Sequence, residues 1–199
     1  MNANQFLKAV SQLQGWRECA FVLALAERSF PNYALFADAM DLKTGGKMHQ
    51  MLDLAWGTLQ EDAAETAIPP LLVKLEALSP DVDAYDAYGV YPAFDVCQLL
   101  EQALLNRLNP SKHRATEASQ LATGTVMSFI ELSEGEGLEE DELVRLLDSH
   151  PLMKEDKTFQ RDMVLALKRQ RTPIEQFIRD IRKDAANDGV SNLGISLGD

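Results

Sequence analysis

Apolar residues recur along nearly the whole chain at intervals of three and four positions. Stripes of this kind begin at Trp16, Met48, Val96, Ala118 and Ile174. Because an α-helix has 3.6 residues per turn, each stripe places its apolar side chains on one helix face. No segment sustains the apolar–polar alternation of a half-buried strand. The pattern therefore predicts an all-α protein.

Proline residues indicate where several of these helices begin and end. Pro31 is expected to end the helix that begins at Trp16, because a proline in a helix interior removes a backbone hydrogen bond. Pro92 is expected at the first position of a later helix, where its fixed backbone angle is favourable. Residues 172–175 have the sequence of a capping box with a proline at the first helical position, which predicts another helix start.

In total the sequence predicts roughly eight or nine helices with short connections. No linker or change of composition divides the chain. Residues 1–199 are therefore expected to form one domain, a single compact helical bundle. Residues 190–199 follow a turn signal at 187–189 and are expected to form an extended tail.

The chain is acidic, with 31 acidic and 19 basic residues and a net charge of −12. Such a surface repels phosphate backbones and anionic lipids, so neither a nucleic-acid partner nor a membrane is expected. The longest apolar run has eight residues, whereas a membrane span needs about 20. The two separated cysteines, Cys19 and Cys97, and the absence of a secretory signal pattern predict a cytoplasmic protein with free thiols.

The charges are unevenly distributed. Residues 1–150 carry 10 basic and 23 acidic side chains, a net of −13, whereas residues 151–199 carry 9 and 8, a net of +1. Seven carboxylates fall in an acidic run at residues 131–142. A basic strip comprises Lys157, Arg161, Lys168, Arg169 and Arg171. The strip is expected to pair with the acidic run, either within the bundle or across a dimer.

The sequence lacks the usual motifs of helical metalloproteins and nucleotide-binding proteins. A di-iron bundle needs Glu-x-x-His pairs, but none of the three histidines has a glutamate at that spacing. There is also no HExxH motif, CxxC motif or glycine-rich phosphate loop. No metal, cofactor or catalytic residue is therefore predicted, and both thiols are expected to be inert core residues.

The segment Asp83–Cys97 concentrates tyrosines and carboxylates in a turn that leads into a helix. In one interpretation the carboxylates cap the helix N-terminus and the tyrosines pack the turn on the bundle. In the other, these side chains line a small pocket whose carboxylates bind a cation or an amine. The candidate ligand-binding residues of this segment are Asp83, Asp86, Tyr88, Tyr91 and Asp95.

A second candidate segment lies at residues 27–33. Arg28 is near a predicted helix end, where it either pairs with Glu27 and fixes the turn or binds an anion. Tyr33 follows in the same segment. Arg28 and Tyr33 complete the set of candidate ligand-binding residues.

Several short blocks together resemble the YjaG family of bacterial proteins, which has no established activity. The matching residues are Glu27-Arg28, residues 31–34, Leu52-Asp53, Trp56, Asp86, residues 88–93, Asp95, Cys97, Ser191-Asn192 and Gly194-Ile195. The resemblance implies a compact, all-helical, cytoplasmic bacterial protein, and it supplies no catalytic residue. It also implies that residues 191–195 belong to the fold and pack against the tyrosine turn.

Two functions from different classes are open at this point. The first is a non-enzymatic helical protein that binds a protein partner or forms a homodimer, which the uneven charge and the missing catalytic motifs favour. The second is a small-molecule-binding or enzymatic bundle with its site at Asp83–Cys97. The second gains if the side chains of the candidate residues converge on one open cleft, and the first gains if they are covered and internally bonded.

Overall fold

The structure, a computed structural model, describes residues 2–59, 65–111 and 113–196. Within those ranges the chain forms nine α-helices, and its only β-type pairing is a bridge between Val190 and Ser196. The helices are α1 (Ala3–Ser11), α2 (Trp16–Ala39), α3 (Gly45–Gly57), α4 (Ile68–Glu76), α5 (Val90–Leu108), α6 (Arg114–Glu134), α7 (Glu140–Ser149), α8 (Pro151–Arg169) and α9 (Glu175–Ala186). The prediction of a compact all-α fold is confirmed.

The central element is α2, whose N-terminal half is covered on all sides. Every residue from Glu18 to Ser29 is buried, as expected for a helix that is apolar around most of its circumference. Its neighbours are α3, α5, α6, α8 and α9. A second, smaller core joins α6, α7 and α8 to the C-terminal tail through Val126, Ile130, Leu147, Met153 and Leu193.

Pro31 lies inside α2 rather than at its end, so the predicted helix end is wrong. A proline removes one N–H donor from the helix and crowds the preceding turn. The C-terminal tail contacts this turn, where the backbone N–H of Asn192 donates to the carbonyl oxygen of Arg28 at 3.2 Å. The Asn32 side chain also donates to Asn192 Oδ1 at 2.9 Å. Both contacts come from the far end of the chain, and they stabilise the turn that contains the proline.

Two predicted helix starts are also wrong. Pro92 occupies the third position of α5, which begins at Val90. A proline is tolerated there because the first N–H groups of a helix have no partner within the helix. The helix α9 begins at Glu175 without a side-chain cap. The Thr172 carbonyl instead accepts a hydrogen bond from the Ile174 N–H at 2.9 Å, which forms a tight turn before the helix.

The C-terminal tail packs on the bundle. The Ser191 N–H donates to the Ile195 carbonyl at 2.8 Å, and Ser191 Oγ accepts from the Leu193 N–H at 3.1 Å. The side chain of Leu193 is buried in the smaller core. Ile195 lines a small cavity together with Tyr88 of the tyrosine turn. Residues 197–199 of the predicted tail lie outside the described residues.

Candidate functional site

Tyr33, one of the seven candidate residues, lies in the interior. Its side chain is only 2% exposed, and its hydroxyl donates to the carbonyl oxygen of Leu78 at 2.7 Å. Burial raises the pKa of Tyr33, so the phenol stays protonated at neutral pH. Tyr33 therefore joins α2 to the end of α4, and it lines neither of the two clefts described below.

Arg28 is likewise buried, at 9% exposure. Its guanidinium lies 5.0 Å from the centre of the Phe159 ring, a cation–π contact. Burial lowers the pKa of Arg28, and the nearby carboxylates of Glu155 and Asp156 act in the opposite direction. The residue thus connects α2 to α8, and it is not part of the tyrosine turn.

A layer of polar side chains lies between α6 and α8 beside Arg28. Asp156 Oδ2 accepts hydrogen bonds from Thr123 Oγ1 and from Gln160 Nε2, each at 2.8 Å. Ser119 Oγ donates to Gln160 Oε1 at 2.6 Å. Burial raises the pKa of Asp156, while these hydrogen bonds and the charge of Arg28 lower it. The hydrogen bonds between the two helices set the register of α6 against α8.

Asp83 and Asp86 are exposed on the loop before α5. The backbone N–H of Asp83 donates to Asp81 Oδ1 at 3.1 Å, so the cap of this short turn is Asp81 rather than either candidate. Neither candidate lines the cleft that Tyr88, Tyr91 and Asp95 share.

Tyr88, Tyr91 and Asp95 do share an open cleft of about 550 Å³ between α5 and α6. Asp95 Oδ2 accepts a hydrogen bond from Thr125 Oγ1 at 2.7 Å. Burial raises the pKa of Asp95, and the Thr125 hydroxyl opposes that shift. Burial also raises the pKa of Tyr88, to which the Asp95 charge adds. The structure therefore brings three of the seven candidates together.

A second cleft, of about 670 Å³, lies on the other side of α6, between α1 and α8. Gln120 and Gly124 line both clefts. Leu7 and Met127 line the second cleft and are 38% and 37% exposed. We call the two clefts and the exposed face of α6 between them the α6 groove.

The charge of the second cleft is opposite in sign to that of the whole chain. Its charged lining residues are Lys157 and Arg161, and no Asp or Glu occurs among the described residues that line it. On a chain with a net charge of −12, this is a local basic and apolar surface. Sequence reasoning missed the groove, although Gly124 in the middle of a strong helical stripe was a signal.

Gly124 is not required by packing within the chain. A Cβ atom at this position would meet nothing within 4 Å. Glycine in a helix interior is less favourable than alanine by about 1 kcal/mol. The glycine therefore leaves open space in the α6 groove at a cost in helix stability.

A separate charged network lies between α2, α3 and α9, and includes three of the residues that carry the family resemblance. Glu27 Oε2 accepts hydrogen bonds from Trp56 Nε1 at 2.8 Å and from Arg182 Nε at 3.1 Å. Arg182 also donates to Asp53 Oδ1 at 2.6 Å. Each group in this network is paired, so it fixes the position of α9.

Both thiols are buried. Burial raises the pKa of Cys19 and of Cys97 to about 12 in each case. The thiolate is the nucleophile and the metal ligand, so burial and the raised pKa both disfavour reaction of either thiol at neutral pH. Across the described ranges, no group of three or more His, Cys, Asp or Glu side chains could hold a metal ion.

None of the described helices is both long enough and apolar enough to cross a lipid bilayer. Among the described residues, the predicted pairing of the basic strip with the acidic run is not found within one chain, and its pairing across a dimer stays a prediction. Lys157 pairs with Asp148 at 3.6 Å and Arg161 with Asp162 at 3.0 Å. In the part of the chain that the structure describes, no ion pair joins the strip to residues 131–142.

Comparison with known proteins shows similarity along almost the whole chain. Residues 5–196 match the family model described as protein of unknown function, DUF416. The uncharacterised protein YjaG of Salmonella typhimurium is 30% identical over 189 residues, 94% of each chain. The protein of the same name from Escherichia coli is 29% identical over 187 residues, 94% of this chain and 93% of that one. A crystal structure of a DUF416 family protein from Shewanella baltica has a TM-score of 0.87 at 28% identity, covering 96% of this chain and 98% of that one.

Proposed function

The chain belongs to the DUF416 family of proteins of unknown function, and on that premise we propose that it is a non-enzymatic protein that binds a protein partner. The partner presents an acidic amphipathic helix, and the α6 groove receives it. The free buried thiols support the bacterial cytoplasm as the location.

The observation that carries this proposal is the open space at Gly124, where the two clefts of the α6 groove meet. Amphipathic helices bind by laying an apolar face into a groove, with anchors at helical spacing. Exposed apolar side chains are available on both sides of Gly124, namely Leu7 and Met127 on one side and Tyr91 on the other.

Charge complementarity selects the sign of the partner. Lys157 and Arg161 border the apolar floor of the groove. They attract an acidic segment and repel a basic one, and such charges act on specificity and association rate more than on affinity. An acidic, apolar helix therefore fits this surface better than a nucleic acid, which the net charge repels.

Fluorescence anisotropy with three synthetic amphipathic helices tests the proposal. The peptides share one apolar face and differ only in a polar face that is acidic, neutral or basic. We expect the wild-type protein to bind the acidic peptide at least tenfold more tightly than the basic one. The tenfold ratio corresponds to about 1.4 kcal/mol.

Two glycine variants serve as a matched pair in this assay. Gly124→Leu fills the groove and is expected to abolish binding, whereas Gly57→Leu places the same side chain on α3 and is expected to bind normally. At both glycines a Cβ would meet nothing within 4 Å, so both variants are expected to fold. Failure of all three peptides to bind, or equal binding by the two variants, would refute the proposal.

A second candidate function is the binding of a small molecule in the cleft between α5 and α6. It is favoured by the convergence of Tyr88, Tyr91 and Asp95 there. A thermal-shift screen against amines and other metabolites tests it. A stabilising compound should lose its effect in Asp95→Asn and in Tyr88→Phe, and a compound that still stabilises both variants must bind elsewhere.

A further inference from the structure

We infer that the acidic helix received by the α6 groove is α6 of a second copy of this chain, in an antiparallel two-fold dimer. The inference rests on the proposed function and names its partner. The same helix carries the open, basic-bordered part of the groove and, at its C-terminal end, the start of the acidic run at residues 131–142.

The exposed face of α6 is self-complementary in shape. Gln120, Gly124, Met127 and Glu131 follow one another at intervals of four, three and four residues, so they form one stripe along the helix. The stripe is symmetric about its midpoint between Gly124 and Met127. When a second α6 lies antiparallel on that midpoint, Met127 of the partner subunit meets Gly124, and Glu131 of the partner subunit meets Gln120.

The small residue in this register faces the large one. Gly124 offers open space, and the exposed Met127 side chain is flexible and suited to irregular gaps. Helix axes at a packed contact lie about 8–10 Å apart, and the distance falls when a glycine is present at the crossing. A two-fold axis closes the assembly at two copies, with the same surface used by both.

The charges are also complementary in this register. The bond between Gln160 and Ser119 places Arg161 near the level of Gln120, which is where Glu131 of the partner subunit lies. Glu134 of the partner subunit follows one turn further on. Among the described residues of its own chain, Arg161 pairs only with the exposed Asp162, a weak surface contact that leaves it available. The two-fold axis repeats the pairing on the other side.

Chemical cross-linking tests the register. In the proposed dimer the two Met127 residues are offset along the helix axis by the rise of three residues and are separated across it by one helix–helix spacing. Together these place their Cα atoms about 9 Å apart. We expect Met127→Cys to form a covalent dimer with a short bismaleimide. Val73→Cys, on α4 and 67% exposed, is the control and should stay monomeric. Cys19 and Cys97 are only 1% and 3% exposed, and the unsubstituted protein, treated in the same way, measures any background from them.

Sedimentation velocity with charge-reversed variants tests the pairing. The wild type is expected to sediment as a dimer at tens of micromolar, and Arg161→Glu should weaken the dimer at least tenfold. Combining Arg161→Glu with Glu131→Arg and Glu134→Arg should restore it, which a merely structural effect of the first change would not do. The inference would be overturned if the wild type is monomeric, or if Arg161→Glu dimerises as tightly as the wild type. It would also be overturned if the combined variant fails to restore the dimer, or if the two cysteine variants cross-link equally.

The outcomes also separate this inference from the proposed function. A monomeric wild type that still binds the acidic synthetic helix overturns the dimer alone and leaves the groove as a site for another protein. A protein that dimerises through a different face and binds no acidic helix overturns both.

Discussion

Replacing Gly124 by alanine should stabilise the protein. The residue lies in the middle of α6, its backbone is ordinary right-handed helix, and an added Cβ meets no atom within 4 Å. The change therefore removes the conformational cost of glycine without introducing a clash, which is worth about 1 kcal/mol. For a chain of this size that corresponds to a rise in Tm of about 3 °C.

Urea unfolding at concentrations where the protein is monomeric measures this effect, with the slope of the transition expected to be unchanged. Gly135→Ala is the matched control, because a Cβ there would lie 2.6 Å from the carbonyl oxygen of Glu131. The control should be destabilised. If Gly124→Ala is no more stable than the wild type, the glycine is not a cost to the fold, and its role in the groove loses its main support.

Three further predictions concern the interior. Glu27→Ala leaves the Trp56 indole N–H without an acceptor and removes one partner of Arg182, so chemical denaturation should show a loss of about 3 kcal/mol; a loss below 1 kcal/mol would contradict this. Burial raises the pKa of Asp95 above its ordinary 3.8, so the carboxyl favours the folded state at low pH and loses that contribution as pH rises through the folded pKa. Asp95→Asn should therefore remove this pH-dependent loss, so that the unfolding free energy of the variant relative to the wild type rises above pH 4. An unchanged difference between the two proteins across that pH range would contradict the predicted role of Asp95. Both cysteines should react with a thiol reagent only after unfolding, whereas rapid labelling of the native protein would show that their burial is incomplete.

Most of the helices could be predicted from the sequence, because each apolar stripe must be covered by another; α1, which lies before the first predicted stripe, was not. The end of α2 could not be predicted from Pro31 alone. The donor that stabilises that turn is the backbone of Asn192, and nothing near Pro31 in the sequence indicates that the tail returns to it. Likewise, the turn that replaces the capping box before α9 depends on the hydrogen bond that the Thr172 carbonyl accepts from the Ile174 N–H. The residue types at 172–175 do not reveal that bond.

The candidate site was only partly predictable for a related reason. Tyr88, Tyr91 and Asp95 lie within eight positions at the start of one helix, so their proximity follows from local geometry. Arg28 and Tyr33 are candidates from a separate segment, and they do not lie with the other three, because Tyr33 bonds to Leu78 and Arg28 turns towards α8. The α6 groove depends on which helices lie beside α6, which periodicity does not determine.

Methyl NMR of the protein with isotope-labelled methionine gives the most direct test of the α6 groove as a docking surface. Met127 is exposed in the groove, whereas Met48, Met51, Met153 and Met163 are buried, and a Met127→Leu variant assigns the signal. On addition of the acidic amphipathic peptide, at a protein concentration where the chain is monomeric, the Met127 signal should shift in a saturable way while those of the buried methionines stay in place. An unmoved Met127 signal at peptide saturation, or shifts confined to other methionines, would contradict the account.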